Sequence, residues 1–166
     1  DFSQKIILER WHHIVDVIGT WPGNIEVLAT GDTGRVGIAE RHRLSGNGFS
    51  PVSARIGSFF VGSANLGSST IAMQAQMMIP TEVPKIVAVR GPAVSYKVTP
   101  ADPKSCKDSY QKAAVHPYTF GATGDGTLLS FGRTCSDERA VEAWTAPGKP
   151  PTITLLSAPK APSGNV

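Results

Sequence analysis

Cys106 and Cys135 are the only cysteines in this chain, so each has only the other as an intramolecular partner. Oxidised, they would close a loop whose entropy cost in the unfolded chain stabilises the fold by roughly 3.5 kcal/mol, less any native strain. Two buried free thiols in a cytosolic protein are the alternative. The loop-forming residues between the cysteines favour the disulfide and an oxidising compartment. Their spacing fits neither a zinc knuckle nor a CxxC redox site.

At 166 residues the chain has the size of one domain, able to bury about two-thirds of its unfolded surface. Its 17 glycines and 13 prolines are spread along the sequence, which favours many turns and short strands over a helical bundle. A net charge of +3 and a pI near 9.0 permit binding to anionic surfaces without demanding it, because the lysines and arginines form no run. No signal peptide, transmembrane run or lipidation motif stands out. The chain opens at Asp1 without an initiator methionine, and a mature or truncated form is expected.

The spacing of Ile7, Trp11, Ile14 and Ile18, with Phe2, Val15 and Val17 nearby, predicts an amphipathic helix over residues 1–19. Gly19 and Pro22 are placed to end it. The stretch from Trp21 to Gly67 is rich in glycine and short polar residues, with brief apolar pieces at Ile25 to Val27 and Ile56 to Val61. From Thr70 a period of two appears: Ile71, Met73, Ala75 and Met77 alternate with Ala72, Gln74 and Gln76. Ile86 to Val89 and Val94 to Val98 continue as strands, and tight connections between the three suggest an antiparallel meander. A short helical pattern runs from Cys106 to near Ala114. An aromatic strand follows at Pro117 to Phe120, then a hairpin signal at Gly121 to Gly126. Arg139 to Trp144 and Thr152 to Leu156 supply the last strands. One helix on one antiparallel sheet is an α+β layout.

This order resembles type IVb pilins, most closely over the last third of the chain. Val94, Tyr96 and Val98 match that family's alternating strand. Cys106 with Tyr110 and Ala114 matches its cysteine and short helix, Tyr118 and Phe120 the next strand, and Cys135 the partner cysteine. Residues 1–18 look like the second half of the pilin N-terminal helix, the half that packs on the sheet of the globular head. The resemblance implies a single pilin-like domain over 1–166: helix at 1–19, helix-to-sheet region at 20–69, sheet and disulfide region at 70–166. It implies a structural subunit of a surface filament that serves attachment or conjugation. Such a subunit is held in the inner membrane before assembly, pairs with further copies of itself and binds no cofactor. A host-cell receptor or DNA is a further expected partner. A secreted or periplasmic binding domain unrelated to pili is the alternative.

Little in the sequence points to catalysis. The run from Gly62 to Ser69 resembles the GSxN element of phospholipase D-type phosphodiesterases through Ser63 and Asn65. That chemistry needs an HxK nucleophile and phosphate clamp, and neither His12, His13, His42 nor His116 is followed by one. The run therefore reads as a polar turn, with a nuclease or phosphodiesterase using Ser63 and Asn65 as a remote third alternative. Gly31 to Gly37 has the look of a phosphate loop but lacks its GK[ST] ending, so a hairpin turn at Asp32 to Gly34 is expected. On a helix, His12 and Asp16 would be four apart and able to share a metal, with His13 beside them, but no further ligand completes a site. No catalytic, cofactor or metal residues are assigned.

Overall fold

Alternation, and not helical spacing, governs the regular elements among the described residues of this chain. The computed structural model describes residues 12–20, 24–32, 37–45, 48–52, 58–75, 83–106 and 112–157, and every regular element among them is a β-strand. These are β1 (His12–Thr20), β2 (Asn24–Asp32), β3 (Gly37–Ser45), β4 (Gly48–Pro51), β5 (Phe59–Leu66), β6 (Ser69–Ala75), β7 (Lys85–Arg90), β8 (Val115–Ala122), β9 (Leu128–Thr134), β10 (Arg139–Trp144) and β11 (Thr152–Leu155). They form three antiparallel sheets in the orders β1-β2-β3-β4, β5-β6-β7 and β11-β10-β9-β8.

The middle strand of the smallest sheet explains how the three fit together. All seven residues of β6 are buried. Its larger side chains, Ile71 and Met73, join Ile86, Phe120, Leu128 and Trp144 in one core. Its smaller Ala72 points the other way and meets Ile18, Leu28, Ala39 and Phe60 in a second. The sheet β5-β6-β7 is therefore a middle layer between the two larger sheets. The alternation read at residues 71–75 has two buried faces, a large one toward β8–β10 and a small one toward β1–β3.

The middle layer also abuts the third sheet edge to edge. At Gly62 an added Cβ would lie 2.3 Å from the Phe120 carbonyl oxygen, so the backbones of β5 and β8 approach as closely as only glycine allows. Both strands break register beside this point, β5 between Phe60 and Gly62 and β8 between Pro117 and Thr119. Such bulges bend a strand and let two sheets meet at a corner.

The expected α+β fold, with a helix over 1–19 packed on a sheet, is overturned. Residues 12–20 are the edge strand of the first sheet. Ile7 and Trp11 lie outside the described residues. Ile14, opposite Ala29, is 55% exposed, whereas Ile18, opposite Glu26, is buried. These two members of the supposed packing stripe therefore sit on opposite faces of a strand. The cause is a bulge between Ile14 and Asp16. One extra residue in a period of two leaves apolar residues at 14, 15, 17 and 18, which imitates the spacing of a helix face. The region expected to join helix to sheet, 20–69, instead holds β2 to β5 and the first residue of β6.

Val94 to Val98 joins no sheet. It lies over the first core instead, with Val94 and Tyr96 packed on it. The Lys97 carbonyl accepts the Trp144 indole N–H at 2.7 Å, and the Ser95 carbonyl accepts the Gly148 N–H at 2.9 Å. Most of the expected short helix, 107–111, falls outside the described residues. At its far end Ala113 bridges Pro100, a strand-like contact. Cys106 and Cys135 form the disulfide, with Cα atoms 5.0 Å apart, and it ties the 100–106 loop to the turn after β9.

Candidate binding cleft

A cleft of about 460 Å³ opens where the three sheets converge. β1 supplies Asp16, Val17 and Ile18, β5 supplies Ser63, Ala64 and Asn65, and the β8 end with its turn supplies residues 121–124. Each wall has a local reason. The bulge in β1 puts Asp16, together with Ile18, on the face opposite Ile14, toward the middle layer. The Val17 N–H donates to Asp16 Oδ1 at 2.8 Å. The Ser63 hydroxyl donates to Asp16 Oδ2. The carboxylate is thus held by groups from two sheets before any ligand arrives.

Asn65 is fixed from behind, because its Oδ1 accepts the Thr70 hydroxyl at 3.0 Å across the β5–β6 hairpin. The third wall is nearly bare backbone, since a Cβ at Gly121 or Gly124 would meet nothing within 4 Å. The turn behind it is tied by Asp125, which accepts the Thr123 hydroxyl and, at 3.1 Å, the Thr127 N–H. These bonds hold the Asp125 carboxyl below its ordinary range, the Thr123 hydroxyl contributing most.

Other charged groups serve the scaffold. Glu26 is buried and takes Arg43 through Nε at 2.9 Å and a terminal nitrogen at 2.7 Å, with Arg41 Nε 3.1 Å from its other oxygen. Glu40 and His42, two apart on β3, meet at 2.8 Å. Burial pushes the Glu142 carboxyl up to about 7, against a smaller opposing effect of the Ser130 hydroxyl.

No family model, curated protein or solved structure matches this chain. Its chemistry must be read from its own residues.

The sequence reached parts of this cleft for other reasons. Ser63 and Asn65, noticed for their likeness to a phosphodiesterase element and then read as a turn, lie in β5 and face Asp16 and Thr70. No histidine is among the residues lining the cleft. Gly31 and Asp32 end β2, and Asp32 pairs with Gly37 of β3; the turn expected at Asp32 to Gly34 falls mostly on residues 33–36, outside the described residues. The spacing of His12 and Asp16 carries nothing for a metal: on a strand, four residues span about 13 Å. Among the described residues no group of three metal-ligating side chains occurs. Nothing in the sequence marked Asp16 as a cleft residue, because its role depends on a bulge one residue away and on a partner 47 positions along the chain.

Proposed function

We propose that this protein is a non-catalytic binding module of an oxidising, extracytoplasmic compartment, whose cleft receives a hydrogen-bond-donating group such as a hydroxyl or ammonium. One observation carries the reading: Asp16 is a carboxylate oriented by the Val17 N–H and the Ser63 hydroxyl at the mouth of a cleft built from three sheets. Pre-oriented polar groups at a concave junction of layers are the usual setting of a ligand site. Ser63 is poorly suited as a nucleophile, since the group facing its hydroxyl is a carboxylate and no histidine lines the cleft to serve as a general base. The Cys106–Cys135 disulfide supports the compartment.

The test is a thermal-shift series with free saccharides and aliphatic amines, on the wild type and on Asp16→Asn. At least one class should raise the melting temperature of the wild type in a saturable way and leave Asp16→Asn unmoved. A wild type indifferent to every member of both classes sinks the reading.

A subunit of a homo-oligomeric surface filament is the second reading, and it keeps assembly while giving up the pilin helix. What favours it is the edge strand β1, where Ile14 and Val17 are 55% and 59% exposed. Sedimentation over a wide concentration range should then show growing assemblies, which Ile14→Ser with Val17→Ser abolishes.

A further inference from the structure

We infer that the outer face of the β8–β11 sheet is a docking surface for single-stranded nucleic acid, separate from the cleft. Ala140, Glu142 and Trp144 point inward from β10, and Leu128, Ser130 and Gly132 do so from β9, so the residues between them face outward. In register along one row across this face stand His116, Arg133 and Arg139: His116 pairs with Arg133, and Arg133 with Arg139. Three cationic or protonatable side chains side by side on neighbouring strands are unfavourable by themselves, because like charges directly opposite repel. Asp137, held at φ +64° at the tip of the β9–β10 turn, accepts one Arg133 N–H at 2.6 Å. Arg139 has no ion pair among the described residues, and a bound anion would complete the row.

The second half of the signal is aromatic. Tyr118 stands beside this row, 44% exposed, with its ring edge-on to His116 at a centroid distance of 5.8 Å. Its position comes from the β8 bulge between Pro117 and Thr119, which adds one residue at Tyr118. Half-buried Phe131 and Val141 continue the face below the charges. An open sheet carrying a presented ring next to arginines offers bases a stacking surface and phosphates a row of donors. An anionic polysaccharide would use the charges and gain less from the ring, so the observations favour nucleic acid.

The experiment measures binding of fluorescein-labelled oligo(dT) and of heparin by anisotropy, using the intact, oxidised chain. Oligo(dT) should bind at low salt and lose affinity roughly tenfold between about 50 and 200 mM salt, as released counterions dictate. Arg133→Ala with Arg139→Ala should weaken both probes at least tenfold. Tyr118→Ala should weaken oligo(dT) by about tenfold and leave heparin unchanged. Lys149→Ala, an exposed charge between β10 and β11, is the control and should change neither. Unaltered far-UV circular dichroism shows that each variant is folded. Absence of oligo(dT) binding at low salt overturns the inference. So does equal sensitivity to Lys149→Ala. If Tyr118→Ala leaves oligo(dT) binding intact, the face is a general polyanion surface, and the assignment to nucleic acid fails.

Discussion

Glu142 lies directly opposite Ser130 in the β9–β10 ladder, and the serine hydroxyl donates to one carboxyl oxygen at 3.3 Å. The other oxygen, Oε1, is buried and accepts no hydrogen bond from the described residues. A carboxyl so placed is held more easily as the neutral acid.

Stability should therefore depend on pH through this side chain. Burial raises the group from 4.5 to about 7, so the folded state binds its proton more tightly than the unfolded chain does. That contribution is fully present below pH 4.5 and lost as pH rises toward 7, a change of about 3 kcal/mol. Urea unfolding across this range should show the decline, and Glu142→Gln should flatten it.

Replacing both Cys106 and Cys135 by serine should cost about 3.5 kcal/mol, because the bond closes a loop with 29 residues of separation. Mass spectrometry of the native protein, with and without reductant, should first show no free thiol in the unreduced sample. Chemical unfolding then gives the stability difference.

Gly62→Ala should destabilise by about 3 kcal/mol, since the new Cβ would press on the backbone of Phe120, which has no room to give. Gly121→Ala, on β8 but beside open space, should stay within about 0.5 kcal/mol of wild type. Equal effects in thermal melts would mean that β5 and β8 do not meet as described.

Glu26→Ala should cost more than Arg43→Ala. Glu26 is buried with two arginines facing it, so its loss leaves two cations near the second core without their counter-charge. Arg43 is 52% exposed and can turn to water, leaving Arg41 on the carboxylate. Differences of about 2 kcal/mol and about 0.5 kcal/mol are expected in urea titrations.

Several strands could be read from the sequence, although the even alternation of Val94, Tyr96 and Val98 misled, since that segment joins no sheet. The alternation at Ile71 to Ala75, the apolar run Ile86 to Val89, the aromatic segment at Tyr118 and Phe120, and the last two strands all lie in β6 to β11. In β1, where a bulge interrupts the alternation between Ile14 and Asp16, spacing misled. The better signal in residues 12–20 was composition: Ile14, Val15, Val17, Ile18 and Thr20 are β-branched, a density that suits a pleated surface better than a helix. Gly19, placed as a helix stop, instead sits at φ +111° within β1, opposite Ile25, where a Cβ would collide with the Asn24 carbonyl oxygen. The cleft was legible only in fragments, because Asp16 and Ser63 belong to different sheets and nothing local in either segment announces the other.

β6 has neighbours on both flanks and cover above and below. Among the described residues it is the one strand buried along its whole length, and both larger sheets lean on it. Cutting the chain anywhere between residues 59 and 90 would strip the lining from two interiors at once. Neither the leading nor the trailing portion should survive as an independent fragment, and the molecule should melt as a single block.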